Sequence, residues 1–513
     1  MGNRDARPEP EDVSLSVGGR LSSAPAPELI TSAFAHELAE EAVLFDGMSY
    51  ADLAHTVVMI EAGVVPEQPG RELLAALEHL RRRPADFAPD PARGDLYTNR
   101  EAYLARRTDA ARWLGVGRTR REAATVAYHL VVRSELLAVG KELVKAATAL
   151  IERAQEHAEA IMADYTYLQA AQPTTFGHYL IAFVYPILRD LDRAKNLFRR
   201  VNLSPAGCGG INGSRLPQDR ARLAALLGFD GCVVHARDAM WQADVPIETM
   251  AVATAATINF ARFAEDLQIF ATSEFGLIEI PDRYARASVL MPQKKNPYAL
   301  AYVRGVANEM VGTQAAVVAL NRTATGQMDN RIFVYGKVPH ALKQVANVAS
   351  LIAGVLREMR FDRARGKAAT ADGFVMAADL AETITTHTGV DFRSAHQIVA
   401  RLVRQFVACG RSLSTLTGPD LDAVAAEMTG QPLKIPVNVL EQALNPAKAV
   451  AARENLGGAG PGAIAAMCDE CRGSLAEYAQ WWRSAEERIA AAHQELMCRV
   501  VKLGIEIDGA PHN

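Results

Sequence analysis

Cysteine is scarce in this chain: 513 residues contain six cysteines, and these are irregularly spaced. That usage makes a disulfide framework improbable and fits a reducing compartment such as the cytoplasm. Cys468 and Cys471 form one C-x-x-C pair, yet no second pair or H-x-x-x-H sequence supplies the other ligands of a structural zinc site. The pair falls within a predicted helix over 463–478, so we interpret it as two small helical residues, and we expect no metal.

An excess of charge of one sign and long apolar runs are also absent. Lys and Arg number 55 and Asp and Glu number 59, which gives a formal net charge of 55 − 59 = −4. This balance excludes a basic face for nucleic acid and a polybasic patch for membrane lipids. No window approaches the roughly 18 apolar residues of a membrane-spanning helix. The first residues lack the apolar stretch of a secretory signal, so we expect a cytoplasmic protein.

Aromatic residues make up only 6% of the chain, whereas Ala and Leu are abundant, which favours helix over sheet. From Arg120 to about residue 163 there is no proline and one glycine, Gly140, which predicts a helix of roughly 65 Å. Its apolar residues face several directions, as in the middle of a bundle. We expect Pro173 to open another helix that reaches Val201, and further long helices at 232–275, 297–321 and 336–358.

The chain shows no alternation long enough to build a sheet, so we predict an all-α fold of three helical domains around a central long-helix bundle. Residues 1–27 are rich in Pro, Ser, Glu and Gly, which predicts a disordered N-terminal tail. The predicted units after the tail are an N-terminal helical domain over 28–117, the central long-helix bundle over 118–366 and a C-terminal helical domain over 367–513.

The segment richest in chemistry is A-S-V-L-M-P-Q-K-K-N-P at residues 287–297, a polar loop between two predicted helices. It brings a serine hydroxyl, two ammonium groups and a carboxamide together. Such a loop suits a carboxylate substrate whose negative charge grows in the transition state. Serine is a poor base unless local positive charge and backbone donors hold its oxyanion. Composition alone fits a solvated surface turn equally well.

This loop resembles the signature of the fumarase/aspartase superfamily, G-S-S-x-M-P-x-K-x-N-P, and its M-P-Q-K-K-N-P form resembles the argininosuccinate lyase branch. Other segments of the chain match family motifs in the same order. They are G-G-R-L at 18–21, G-R-T-R-R-E at 117–122, A-Q-P-T-T-F-G-H-Y-L at 171–180 and R-V-N-L-S-P-A-G at 200–207. The resemblance covers most of the chain and is strongest over about 160–310.

The resemblance implies a homotetramer with a core helix bundle and active sites shared between subunits. It implies anti β-elimination from a succinyl-linked leaving group, which releases fumarate and requires no metal or organic cofactor. A base removes a proton next to one carboxylate of a small-molecule dicarboxylate substrate. The resulting dianion is stabilised electrostatically, and an acid protonates the leaving nitrogen.

Several site residues follow from the resemblance. Ser288 matches the catalytic base, while Lys294 and Asn296 match residues that hold the reacting carboxylate and the serine oxyanion. The other matched residues are expected to bind substrate, and they are Thr119, Arg120, Thr166 and Gln169. Val289 and Ala287 replace the second serine and the glycine of the signature.

Three departures concern the leaving-group side. Tyr167 replaces the histidine that assists proton transfer, and it is a candidate phenolic acid or a pocket wall. Arg121 replaces an asparagine; it either binds a further anionic substrate group or pairs with Glu122 or Asp164 to brace the helix start. Residues 326–333 do not match the family's A-Y-N-K-D-x-Q segment at the tyrosine, lysine and glutamine that grip the arginine half of argininosuccinate. His178 and His235 lie in or near matched segments, and we interpret them as packed or hydrogen-bonded residues.

The sequence therefore predicts the same half-reaction with a different leaving group, acting on an N-substituted aspartate or related C4 dicarboxylate in specialised metabolism. The reverse addition to fumarate is equally open. Two alternatives stand beside this interpretation. One is an ordinary argininosuccinate lyase that tolerates the substitutions, and the other is a non-catalytic structural paralogue.

Overall fold

The computed structural model describes residues 23–327, 329–372 and 374–503. Most of the predicted tail over 1–27 and the whole match at 18–21 lie outside the described residues. So does Met328, in the divergent segment over 326–333.

Helices make up 70% of the chain, which confirms the predicted all-α fold class. Among the described residues, six long helices form the centre, and the longest is the C-terminal one. They are α1 Arg120–Glu156, α2 Val184–Val201, α3 Asp244–Phe270, α4 Tyr298–Asn321, α5 Lys337–Glu358 and α6 Pro461–Lys502. Helix α1 packs along α5 and α6, helix α3 packs along α4 and α5, and α2 lies against α1 and α3. The C-x-x-C cysteines are buried on α6 as free thiols.

Small residues let these helices approach closely. Gly140 is the one glycine of α1, and a Cβ built on it would lie 2.4 Å from the ring of Trp482 on α6. The indole therefore occupies the space that a side chain at position 140 would need. Helix α1 begins at Arg120 because Thr119 caps it: the Thr119 hydroxyl accepts the Glu122 N–H at 3.2 Å.

Shorter helices flank the centre on both sides in sequence. The N-terminal ones are Pro27–Leu29, Ala35–Glu41, Phe45–Glu61, Glu67–Arg82 and Leu96–Ala105, with short π or 3₁₀ turns at Ile30–Phe34, Ala42–Leu44, Pro84–Asp86, Pro91–Arg93 and Asp109–Trp113. Short helices between the long ones are Phe176–Ile181, Arg220–Leu226, Ala236–Trp241 and Asp329–Val334, with a 3₁₀ turn at Asp282–Tyr284. The later ones are Arg363–Asp372, Ala377–Thr388, Phe392–Ala408, Gly418–Thr429, Val437–Ala443 and Pro446–Ala451, with a 3₁₀ turn at Leu413–Thr415.

The buried apolar residues fall into one large core and a second, smaller one. The large core joins the N-terminal helices to all six long helices, and α6 contributes to it from Ile464 to Val500. The second core is built almost entirely from residues 375–449. The predicted domain limits stay a prediction, but the final helix packs with the central bundle rather than with the segment that precedes it in sequence.

Three expectations about local structure were wrong. The stretch 232–275 is not one helix, because a strand at Gly231–Cys232 and the short helix Ala236–Trp241 come before α3, which begins at Asp244. Helix α1 ends at Glu156, and residues expected to continue it form an antiparallel hairpin of strands Ile161–Thr166 and Gln169–Thr175, here called the Thr166 hairpin. Pro173 lies in its second strand and does not open a helix, and the next helix begins at Phe176. Proline is tolerated there because a strand at a sheet edge can forgo one donor.

Three further strand pairs occur, each two residues long. Leu203–Ser204 pairs in parallel with Gly231–Cys232, and Ile278–Glu279 pairs with Arg360–Phe361. Arg286–Ala287 pairs antiparallel with Lys295–Asn296, and this pair closes residues 288–294 into a hairpin loop, here called the Ser288 loop. No helix among the described residues is long and apolar enough to cross a membrane.

Candidate active site

The Ser288 loop presents its serine hydroxyl to a backbone donor. The Met291 N–H donates to Ser288 Oγ at 3.0 Å, across a tight turn within the loop. Asn296 Nδ2 donates to the Arg286 carbonyl at 3.0 Å and fixes the base of the hairpin. An N–H aimed at a serine oxygen stabilises the alkoxide relative to the alcohol, which is what a serine base requires.

The two lysines of the loop have different roles. Lys295 Nζ lies 2.6 Å from Asp282 Oδ1 and 3.3 Å from Glu279 Oε1, and its hydrogen bond to Asp282 raises the Lys295 pKa. Lys294 is exposed and forms no ion pair with any residue that the structure describes. Of the two loop lysines, Lys294 is therefore the one whose ammonium has no ion-pair partner in the described chain.

The tip of the Ser288 loop is apolar and projects into solvent. Val289 is fully exposed, and the exposed fraction of Leu290 is 86%. Ala287, which replaces the signature glycine, lies in the short strand and has no positive φ, so a Cβ is compatible with its backbone. Solvent exposure of two branched apolar side chains at a loop tip is typical of a segment that a partner surface covers.

The Thr166 hairpin turns at Tyr167 and Leu168, whose φ angles are 54° and 58°. Both residues are non-glycine and left-handed, as the two central residues of a type I′ turn require. Such backbone costs about 1–3 kcal/mol per residue and is concentrated at functional sites. Thr166 pairs with Gln169 across the turn, and all four residues are exposed, with Tyr167 at 99%. No hydrogen bond or ion pair within the described chain joins this tip to the Ser288 loop.

The start of helix α1 is anchored to a glycine-rich loop. The Glu122 carboxylate accepts the Gly207 and Gly209 N–H groups, each at 2.6 Å, and the Thr119 N–H donates to the Gly209 carbonyl at 3.1 Å. The Thr119 hydroxyl oxygen accepts the capping hydrogen bond, so the hydroxyl proton is available to donate to a ligand. Arg120 is half-exposed, with Nη1 3.3 Å from Asp95 Oδ2.

Unlike the half-exposed Arg120, the Arg121 side chain points into a buried group of three carboxylates. Its guanidinium forms ion pairs with Glu37, with Glu41 at 3.1 Å and with Asp95 at 3.9 Å. The ligand oxygens of the three acids lie within 4.8 Å of one another. Desolvation by burial, reinforced by the Asp95 charge, raises the Glu41 pKa to about 8. The bracing partners expected for Arg121, Glu122 and Asp164, are not among the ion pairs that it forms.

A cavity of about 490 Å³ lies beside Arg120. Glu37 and Asp95 line it, so one wall of the cavity is the face of the Arg121 cluster. Arg118 also lines it, and a buried ion pair with Asp52 holds that guanidinium. The acidic residues of the cluster had not been predicted. No local signal could have revealed them, because Glu37 and Asp95 are distant from Arg121 in sequence.

The two histidines make structural contacts. His178 bridges two segments: Nδ1 lies 3.0 Å from Thr174 Oγ1 and Nε2 lies 3.0 Å from the Gly457 carbonyl. His235 caps a short helix, and its Nδ1 accepts the Arg237 N–H at 3.2 Å. Both therefore hold loops in place, which fits their interpretation as hydrogen-bonded residues.

Comparison with known proteins places these features in a family. A model of the lyase family matches residues 90–312, and a model of the argininosuccinate lyase C-terminal segment matches 374–451. An argininosuccinate lyase of Methanoculleus marisnigri is 31% identical over 452 residues, which cover 87% of this chain and 90% of the relative. The chain belongs to the argininosuccinate lyase family.

Other relatives agree with this assignment. An argininosuccinate lyase of Methanothermobacter thermautotrophicus is 29% identical, with 88% of this chain and 97% of the relative covered. The solved structure of an EDDS lyase variant with bound fumarate superposes with a TM-score of 0.84 at 26% identity, covering 94% of this chain and 96% of that one. The family consists of carbon–nitrogen lyases, and the predicted membership of the fumarase/aspartase superfamily is confirmed.

Proposed function

We propose that this enzyme eliminates an amine from an N-substituted aspartate or a related C4 dicarboxylate and releases fumarate, or catalyses the reverse addition. The observation that carries the proposal is the Ser288 loop, in which a backbone N–H meets the oxygen of the serine that matches the family's base. The fumarate bound to the EDDS lyase variant supports the dicarboxylate half of the substrate.

The proposed reaction begins at Ser288, whose alkoxide removes the proton from the carbon next to one substrate carboxylate. The Met291 N–H, already in place at 3.0 Å, holds that oxyanion without reorganisation. Lys294 and Asn296 neutralise the dianion that forms on the reacting carboxylate. Tyr167 gives its proton to the departing nitrogen, since an ordinary phenol is protonated at neutral pH.

The remaining binding groups lie on separate parts of the protomer. Thr166 and Gln169 are on the hairpin tip, while Thr119 and Arg120 are at the start of α1. We propose that they hold the second carboxylate when protomers come together, because the described contacts do not join these parts within one chain. This arrangement requires an oligomer with shared sites.

The exposed face of α4 supports a homotetramer built on the central bundle. Tyr298, Tyr302, Val311 and Val318 are each at least 40% exposed on this helix. A Cβ at Gly305 or Gly312 would meet nothing within 4 Å in the single chain.

Small and apolar residues on the exposed side of a helix permit close packing against another copy. Gly312→Leu is therefore expected to convert the tetramer to smaller species in size-exclusion chromatography with light scattering. Gly473→Leu, at another open glycine on α6, is the control. An unchanged tetramer in Gly312→Leu contradicts the placement of the interface.

We propose a cytoplasmic location, because all six cysteines are free thiols, as in a compartment that keeps them reduced. The changed residues on the leaving-group side favour a substrate of specialised metabolism. The argininosuccinate lyases among the relatives make argininosuccinate the first comparison substrate to assay.

The decisive variant is Ser288→Ala, assayed by fumarate absorbance with a panel of aspartate adducts. We expect kcat to fall by about 10²–10⁴-fold while fumarate still raises the melting temperature, because only the base is lost. Ser273→Ala, at an exposed serine on another loop, is the matched control. Near-normal turnover in Ser288→Ala removes the proposed base. Tyr167→Phe tests the acid in the same assay, with the largest loss expected for poor leaving groups.

If the wild-type protein releases no fumarate from any adduct, and fumarate does not raise its melting temperature, the non-catalytic paralogue is supported. Normal turnover of argininosuccinate supports the ordinary lyase and contradicts a changed leaving group.

A further inference from the structure

Arg121 fills a pocket that would otherwise attract a cation. Three carboxylates with oxygens within 4.8 Å of one another repel unless a positive group lies between them, and the Arg121 guanidinium supplies it. The side chain of Arg121 is only 15% exposed, and those of Glu41 and Asp95 are 1% and 3% exposed. The cluster is therefore an interior site already occupied by the chain itself.

The cluster borders the cavity that Arg120 lines. Asp95 pairs with both Arg120 and Arg121, at 3.3 Å and 3.9 Å. Glu37 and Asp95 form part of the wall of the cavity that Arg120 also lines, whereas Glu41 lies deeper. A substrate whose dicarboxylate end meets Arg120 thus lies beside a cavity whose acidic wall is paired with Arg121 from behind.

We propose that Arg121 is a specificity-determining residue, whose guanidinium occupies the Glu37–Glu41–Asp95 pocket and so excludes leaving groups with a cationic end. The inference rests on the proposed function for its catalytic consequence, while the occupancy of the pocket is independent of it. The expected leaving group is an amine whose far end is neutral or anionic.

Charge counting supports this selectivity. Three carboxylates line the cavity, those of Glu37, Asp95 and Glu101, and three guanidinium groups balance them, those of Arg93, Arg118 and Arg120. Arg121 pairs with Glu37 from behind, and burial raises the Glu41 pKa to about 8. A cationic tail would add an uncompensated positive charge to this balanced lining. In Arg121→Asn the same wall carries an excess of negative charge and a void of guanidinium size.

The first test measures binding alone. Melting temperatures of wild type and Arg121→Asn are compared with methylguanidinium chloride or with sodium chloride at equal ionic strength. We expect methylguanidinium to raise the melting temperature of Arg121→Asn by at least about 2 °C and to leave wild type unchanged. Arg411→Asn, which removes a guanidinium from an exposed pair with Asp420, is the matched control and is expected to show no shift. Equal shifts in Arg121→Asn and wild type overturn the proposal.

A second variant covers a failure of Arg121→Asn to fold. Arg121→Asn with Glu37→Gln removes a carboxylate that pairs with Arg121 in wild type, so less negative charge remains unpaired. This double variant is expected to fold, and methylguanidinium is expected to raise its melting temperature more than that of wild type. Absence of any methylguanidinium effect in either variant overturns the proposal.

The second test measures selectivity as a ratio of kcat/KM values for argininosuccinate and for an aspartate adduct of an uncharged amine. We expect Arg121→Asn to move this ratio by at least about 10-fold toward argininosuccinate, mainly through KM. A structural defect lowers both values together and leaves the ratio in place, which would contradict the role of Arg121. If no adduct yields fumarate, the proposed function fails, and the methylguanidinium shift still reports on the pocket.

Discussion

His129 carries a pH dependence of stability that the structure allows to be worked out. The residue is fully within the bundle, and its Nδ1 lies 3.0 Å from the Val201 carbonyl at the end of α2. Burial lowers the His129 pKa to about 4, and the charges of Arg331 and Arg133 add to this effect. The folded chain therefore holds a neutral imidazole at pH values where an unfolded chain already binds a proton.

The sign follows from this difference. The ordinary histidine pKa is about 6.5, so the unfolded state takes up the proton first as the pH falls. Stability is lost progressively as the pH falls from about 6.5 to about 4, and no further below that. Between pH 7 and pH 5 the loss from this one site is about 2 kcal/mol.

The perturbation is His129→Gln, whose amide can still donate to the Val201 carbonyl. Melting temperatures of wild type and variant are measured at pH 7, 6 and 5 at constant ionic strength, with His396→Gln on the exposed surface as the control. The variant is expected to be less stable at pH 7 and to lose about 2 kcal/mol less than wild type on going to pH 5. Identical acid dependence in the two proteins refutes the assignment of a buried neutral imidazole.

Two further predictions concern buried contacts, one between two helices and one in an ion-pair cluster. Gly140→Ala forces a methyl group into the indole ring of α6 and is expected to destabilise by about 1–3 kcal/mol in urea unfolding. Gly473→Ala, on an open face, is expected to be neutral or to stabilise by up to about 1 kcal/mol, and equal effects at the two glycines contradict the packing. Asp52→Asn leaves the buried guanidinium groups of Arg100 and Arg118 without their carboxylate and is expected to cost about 3–5 kcal/mol. A cost below about 1 kcal/mol in Asp52→Asn shows that solvent reaches this pair.

The long helices were predictable because proline and glycine mark their limits. The helices Tyr298–Asn321 and Lys337–Glu358 each begin one residue after the predicted start and end at the predicted residue. The Thr166 hairpin was missed because its turn carries Tyr167 and Leu168 rather than the Asn-Gly or Gly residues that normally announce such a turn. Helix propensity led to the wrong prediction there, because the segment around Ala163 has the composition of a continued α1.

The parts of the site whose residues are neighbours in the chain were predictable, and the parts whose residues come from distant segments were not. Ser288 and Met291 lie in one loop, so the motif contains both the base and its donor. The partners of Arg121 come from the helix Ala35–Glu41 and from Asp95, which caps a later helix, and only folding brings them together. A sequence motif can reveal that position 121 is unusual, but the reason for it lies in three-dimensional contacts.

The packing of α6 has a consequence for biosynthesis. Helix α6 fills the central core from Ile464 to Val500, against helices that are translated more than 300 residues earlier. At about 5–20 residues per second, a ribosome needs roughly 2–8 s to add its 42 residues. During that interval the nascent bundle exposes an apolar groove along α1, which needs protection from aggregation until α6 is added.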